Sequence, residues 1–395
     1  MATILGTQFD DNDTLGRDGI LHPSLKGGNS SDYIDGDDGN DKLFGYGSAD
    51  TLYGGYGTDT LYGGDGDDYL DGGGASFYDS SSDRLYGDAG NDFLLGGNGA
   101  DYLDGGNDAD NLNGYNGADT LYGGYGTDEL HGGAGDDHLD GGGASFFDSS
   151  SDRLYGDAGK DYLLGGNGAD YLDGGSDADT MKGYYGNDTY IVDNALDVID
   201  ETSGTGIETV ISSVSFRLGA DSKGLDNLTL AENSSAAGGI GNGLTNTIIG
   251  NNFRINSLDG GGGKDILDGR GGNDNLIGGT GNDTLTGGTG QDTFYFTSKS
   301  DGIDRITDFS VVDDVINVLK GGFEAGLSGG TLLASQFVTG SSATNSSQRF
   351  IYNRSTGGLY FDADGSGAAG KIQLASLSSG LSLTNNDIFV VANSY

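Results

Sequence analysis

From Gly27 onward the apolar and polar positions of the chain recur every nine residues. The first units read GGNSSDYID, GDDGNDKLF, GYGSADTLY, GGYGTDTLY and GGDGDDYLD. The register holds to Ile191 as 15 nonapeptides and two expanded units of 15 residues, GGGASFYDSSSDRLY (72–86) and GGGASFFDSSSDRLY (141–155). Within each unit the last three residues, such as TLY or YLD, alternate outward, inward, outward, as a half-buried strand does. The eighth position is Leu, Ile or Met in 16 of the 17 units and Tyr190 in the last. Each unit therefore predicts a turn of about six residues and a strand of about three. Two units make one coil, and the coils stack by parallel pairing with the eighth-position side chains meeting inside. A helix is excluded, because Gly at this density costs about 1 kcal/mol per site.

The same register returns at 260–295 in GGGGKDILD, GRGGNDNLI, GGTGNDTLT and GGTGQDTFY. A longer repeat is laid over the first array: residues 54–122 and 123–191 are near copies of 69 residues, seven units each. Seven is odd, so the two long insertions are expected to leave the coil stack on opposite edges, ~17 Å apart along its axis.

Every unit begins with Gly and carries Asp at the sixth position or its equivalent. Gly at the first, second and fourth positions is expected to supply positive φ for tight turning. In stacked coils the Asp residues must form ladders along both edges. At about 5 Å and an effective dielectric of about 20, each like-charge contact costs about 3 kcal/mol. A cation between the carboxylates removes that cost. Carboxylate and carbonyl oxygens without Cys or His are hard donors and favour Ca²⁺ over Zn²⁺ or Cu²⁺. Ca²⁺ also tolerates a flexible loop better than Mg²⁺ does.

The composition agrees. Of 395 residues, 80 are Gly, one is Pro and none is Cys; 61 acidic against 18 basic residues give a net charge of −43. One Pro excludes a collagen helix. The charge argues against nucleic acid and anionic membranes and for cations as partners. No apolar run approaches the ~20 residues of a membrane span. The start, MATILGTQFDDND, lacks the basic and apolar regions of a cleaved secretory signal.

These arrays resemble the RTX, or hemolysin-type calcium-binding, repeats of secreted bacterial proteins, whose nonapeptide GGxGxDxUx binds Ca²⁺ in a parallel β-roll. The resemblance implies an all-β fold in which the Asp carboxylate and turn carbonyls of one coil hold an ion with the next. In the first array it points to Asp32, Asp41, Asp50, Asp59, Asp68, Asp92, Asp101, Asp110, Asp119, Asp128, Asp137, Asp161, Asp170, Asp179 and Asp188. Asp83 and Asp152 follow six-residue insertions, so their turns depart from the pattern. In the second array it points to Asp265, Asp274, Asp283 and Asp292. The expected load is about 15 ions in the first array and about two in the second.

The organisation expected is an N-terminal cap or irregular first repeat (1–26), a 17-unit array (27–191), a metal-poor β-solenoid spacer (192–259), a four-unit array (260–295) and a C-terminal β cap (296–395). Asp387 followed by Ile-Phe-Val-Val391 looks like an uncleaved signal for an ABC-type type I exporter, and it reads equally as a last strand.

Catalytic chemistry finds little footing. The histidines are His22, His131 and His138; the last two should project from opposite sheets, and no HExxH occurs. GGGGKD (260–265) departs from a phosphate loop at Leu258 and Asp265. Asp362 and Asp364 in DADGSG have EF-hand-like spacing, but the twelfth position is Gln373, so a hairpin turn is the first reading and an extra ion the second. Tyr33, Tyr53, Tyr62, Tyr69, Tyr86, Tyr102, Tyr122, Tyr155, Tyr162 and Tyr171 fall at outward positions, where they serve strand propensity or offer a face for lateral assembly or sugar stacking. The sequence therefore predicts a non-enzymatic, extracellular or cell-surface calcium-binding protein that folds outside the cell and self-assembles in a surface layer, matrix or fibre. The alternatives are a polysaccharide-binding module or part of a carbohydrate-active enzyme, and a surface or ice adhesin.

Overall fold

The computed structural model describes residues 2–9, 11–12, 14–15, 21–73, 79–142, 149–202, 204–219, 224–323 and 326–392. Two compact units divide the chain, Met1–Glu208 and Thr209–Tyr395. The division falls inside the segment read as a spacer.

In the first unit the chain alternates between two parallel sheets. One carries Tyr33–Asp37, Thr51–Gly55, Tyr69–Gly73, Phe93–Asn98 and on to Thr189–Val192; the other carries Lys42–Gly47, Thr60–Asp65, Arg84–Ala89, Tyr102–Asn107 and on to Val198–Ile199. The register pairs eighth positions with each other, Leu52 with Leu70 in one sheet and Leu61 with Leu85 in the other. Every eighth-position side chain from Ile34 to Tyr190 is fully buried. Each such aliphatic contributes about 1.5–3 kcal/mol. Replacing Leu112, which stacks between Leu94 and Leu130, with Ala is expected to cost about 2–5 kcal/mol in urea unfolding at saturating Ca²⁺. The outward Thr120→Ala should stay within about 0.5 kcal/mol.

The strands are longer than predicted. In the first array most run five or six residues, as Thr60–Asp65 does, and continue through the paired glycines. Pairing resumes beyond the first-position Gly, with Gly64 opposite Asp88 and Asp65 opposite Ala89. The three-residue expectation holds in the second array, at Ile266–Asp268, Asn275–Ile277 and Thr284–Thr286.

The role of the glycines also differs from expectation. The second and fourth positions have positive φ, as at Gly64 (111°) and Gly66 (134°). The first position does not, and it needs Gly for space. A Cβ on Gly45 would lie 2.5 Å from Asp50 Oδ2 and 2.6 Å from the carbonyl oxygen of Gly63 in the next coil.

The first insertion lies between Tyr69–Gly73 of one sheet and Arg84–Ala89 of the other; the second runs in the reverse sense, from His138–Gly142 to Arg153–Ala158. The two therefore leave from opposite edges, as the odd unit count predicts. Residues 74–78 and 143–148 within them lie outside the described residues.

In the second unit the spacer and second array share one register. Leu225–Leu230, Thr247–Ile249, Ile266–Asp268 and Thr284–Thr286 pair in series, as do Gly238–Ile240, Ser257–Asp259, Asn275–Ile277 and Thr293–Phe296. Thereafter Ile372–Ser376 pairs with Asp304–Ile306, and Ile388–Val391 pairs with Val315–Leu319. Antiparallel pairing joins Phe350–Asn353, Gly358–Phe361 and Ile372–Ser376. Phe323, Phe350 and Phe361 pack together with ring centroids 5.1–6.1 Å apart.

Candidate metal centre

All 21 sequence-predicted aspartates are buried, and they form ladders along the coil edges. Each Asp N–H except that of Asp188 donates to Oδ1 of an Asp one coil further on. One edge runs Asp32, Asp50, Asp68, Asp92, Asp110, Asp128, Asp152, Asp170, Asp188, with donor–acceptor distances of 2.7–2.9 Å. The other runs Asp41, Asp59, Asp83, Asp101, Asp119, Asp137, Asp161, Asp179 over the same range. Asp83 and Asp152 take regular rungs in spite of the insertions that precede them. In the second array Asp265 bonds to Asp283, and Asp274 to Asp292, each at 2.8 Å. The Asp carbonyl is held as well; Thr51 N–H donates to Asp32 O at 2.9 Å.

The second carboxylate oxygen is treated differently. Oδ2 of Asp50, Asp59, Asp68, Asp92, Asp101, Asp110, Asp119, Asp137, Asp161, Asp179 and Asp188 is buried without a hydrogen-bond donor, as is that of Asp265, Asp274 and Asp283. Burial pushes the ladder carboxyls up: Asp59 to about 9, Asp83 and Asp110 to about 8, and Asp68, Asp92 and Asp119 to about 7. Desolvation is the largest cause in each, ahead of repulsion from neighbouring aspartates. The sequence argument put the cost in repulsion between rungs; the greater cost is removal of each carboxylate from water.

The ladders extend beyond the repeat. Asp11 N–H donates to Asp41, Asp188 to Glu208 Oε2, Asp283 to Asp304 and Asp292 to Asp314. In the spacer the rungs are Asn246 and Asn256, whose N–H groups donate to Asp265 and Asp274. Asn makes the hydrogen bonds without the charge. Sequence reading missed these residues because the interval departs from 18, to 19–22 for Asn246, Glu208, Asp304 and Asp314 and to 30 for Asp11, while Asn256 keeps the interval of 18 but is not an Asp. GNGLTNTII, with Asn246 sixth and Ile248 eighth, was the one readable signal.

A buried anionic oxygen lacking a donor, beside a carbonyl of the next coil and held open by a glycine, fits a hard divalent cation. Ca²⁺ there would neutralise the paired rungs and take up the carboxylate oxygens that no N–H reaches. The histidines stand apart. His131 and His138 lie on opposite sheets, as expected; His131 stacks on Tyr155 at 4.5 Å and His138 on Tyr162 at 5.3 Å. The side chain of His22 lies outside the described residues.

The RTX calcium-binding nonapeptide repeat (4 copies) matches at residues 24–47, 44–76, 77–112, 113–145, 148–181, 164–199, 240–276 and 268–298. A subunit of the Azotobacter vinelandii mannuronan C5-epimerase, solved in solution, is similar over 43% of this chain and 82% of its own, at 25% identity and a TM-score of 0.24. No curated protein matches the chain. No helix among the described residues is long and apolar enough to cross a membrane. With matches over more than half its length, and with those residues building the carboxylate ladders, the chain belongs to the RTX calcium-binding nonapeptide repeat family.

Proposed function

We propose that this is a secreted structural protein, exported unfolded by an ABC-type type I exporter, folded outside the cell by Ca²⁺ and self-assembled in a surface layer, matrix or fibre. The aspartates of both arrays are its metal ligands, with about 15 ions in the first array and about two in the second. The observation that carries the reading is the series of buried, donor-free Oδ2 atoms. In the cytosol Ca²⁺ is too scarce to neutralise them; outside, binding energy becomes folding energy. Residues 296–395 close the second array, since their strands take up edges that would otherwise invite further pairing.

The outward aromatics bear on what the faces do. On one sheet Phe44, Tyr62, Tyr86, Tyr102, Tyr122, His138 and Tyr162 form a continuous column, with centroids 4.9–6.1 Å apart. Tyr62 and Tyr86 are parallel to within 7°. Phe44–Tyr62, Tyr62–Tyr86 and His138–Tyr162 cover one another's faces, while Tyr86–Tyr102, Tyr102–Tyr122 and Tyr122–His138 are tilted by 45–60°. Ring contact along the whole column supports the reading in which it stiffens the sheet.

Sedimentation velocity and electron microscopy during a Ca²⁺ titration test the role. Folding followed by growth into sheets or filaments is expected. A chain that folds yet stays monomeric at millimolar Ca²⁺ overturns the assembly claim.

A further inference from the structure

One sheet of the first unit separates its outward charges along the stack. Its strands follow in the order Leu25–Gly28, Lys42–Gly47, Thr60–Asp65, Arg84–Ala89, Tyr102–Asn107, Thr120–Tyr125, His138–Gly142 and Tyr162–Asn167. The outward side chains are the seventh and ninth of each unit, about 7 Å apart along the strand. Over the first four strands the charged members of these two rows are Lys26, Lys42 and Arg84, all basic. Over the next four they are Asp104 and Asp140, both acidic.

These charges are not spent within the chain. Lys42 Nζ lies over the rings of Phe44 and Tyr62, at 5.0 and 5.4 Å, and Arg84 is exposed. Asp104 accepts a long hydrogen bond from Tyr102 O–H at 3.4 Å, and Asp140 accepts from Gly142 N–H at 3.1 Å. Among the described residues none of these four forms an ion pair; further along the same sheet Lys182 and Asp200 do, at 2.8 Å. The opposite sheet differs. Its outward rows carry Asp35, Asp71, Glu129 and Asp173 against Arg153, an excess of one sign that a second such face would repel.

A face that is basic in one half and acidic in the other complements itself when turned end for end. A two-fold axis along the strands, between Arg84–Ala89 and Tyr102–Asn107, keeps each row opposite itself and reverses the order of the strands. It lays Arg84 opposite Tyr102 of a second copy, with Asp104 two residues along that strand. It lays Lys42 opposite His138, with Asp140 again two residues along. The long Lys and Arg side chains cover that step. The same operation sets Tyr62 opposite Tyr122 and Thr60 opposite Thr120, so one axis serves both charge pairs and leaves an aromatic middle. Each contact then occurs twice, as an isologous interface requires.

We propose that this face joins two copies of the folded roll, with Lys42 and Arg84 of each meeting Asp140 and Asp104 of the other. The inference rests on the assembly reading above and names the face that it uses. A chain of net charge −43 repels its copies over most of its surface. Here both signs are present and segregated, which selects the partner, its direction and its register together.

Sedimentation velocity of the full chain in Ca²⁺ buffer tests this, beside Lys42→Glu/Arg84→Glu and Asp104→Lys/Asp140→Lys, each checked for β structure by circular dichroism. The wild-type chain should self-associate, and each variant should do so at least about tenfold more weakly. An equimolar mixture of the two variants should recover the wild-type affinity, since each carries the sign that the other lacks. A wild-type chain that stays monomeric overturns the assembly reading and this interface with it. Wild-type association that both variants keep, or that mixing does not recover, overturns the interface and leaves assembly standing. Salt supplies a check without substitution. Raising NaCl from about 0.05 to about 0.5 M at fixed Ca²⁺ should weaken wild-type association about tenfold, and association indifferent to salt would overturn the charge pairing.

Discussion

In chelator above about pH 8 the purified chain is expected to lose its β circular-dichroism signal and expand, and to recover both on addition of Ca²⁺. The chelated chain should also regain β structure on acidification to about pH 5. The sign follows from the buried carboxyls. Asp59 is pushed up to about 9, Asp83 and Asp110 to about 8, and Asp68 and Asp119 to about 7. A carboxyl whose folded pKa lies above its unfolded one favours the fold while protonated. That contribution is complete below the ordinary carboxylate range and is lost as pH rises through 6–9, the span of the ladder carboxyls. A bound cation replaces the protons, so Ca²⁺ should matter most at high pH. Circular dichroism and hydrodynamic radius across this range, with and without Ca²⁺, measure the effect. Compactness that is independent of pH in chelator would contradict it.

Gly45→Ala is expected to be among the most damaging single changes, although it adds one methyl group. The new Cβ would meet Asp50 Oδ2 at 2.5 Å and Gly63 O at 2.6 Å, both of them parts of the candidate ion site. Neither can retreat, because Asp50 Oδ1 is tied to Asp32 N–H and Gly63 lies in a paired strand. Overpacking of a fixed core costs about 1–3 kcal/mol. Displacement of the carboxylate adds a loss of Ca²⁺ affinity. Calorimetry across a Ca²⁺ series should show a lower melting temperature that excess Ca²⁺ does not fully restore. Gly47→Ala in the same turn is a control, since a Cβ there would be 4.0 Å from its nearest neighbour. Equal behaviour of the two variants would refute the steric account.

The periodicity made the core and both ladders legible, because each depends on one residue type returning at one interval. Leu112 and Asp119 could be assigned their places without coordinates. The length of the strands could not, since glycine carries no apolar signal by which its pairing shows. The two uses of glycine were likewise merged; Gly45 and Gly64 look alike in sequence, yet Gly45 answers to crowding alone and Gly64 to positive φ as well as crowding. The ladder ends at Asp304, Asp314 and Glu208 escaped because their spacing drifts and only through-space hydrogen bonding restores the series.

The seven-unit duplication has a parity. Excision of one 69-residue copy would remove three and a half coils and hand every later strand of that unit to the other sheet. Thr180–Tyr185 would then lie where its former neighbours' opposite numbers now run. The core would not notice, since leucine lines both walls. The exterior would be turned back to front, so copy number in this gene segment acts as a rotary setting for whatever the outer side chains meet.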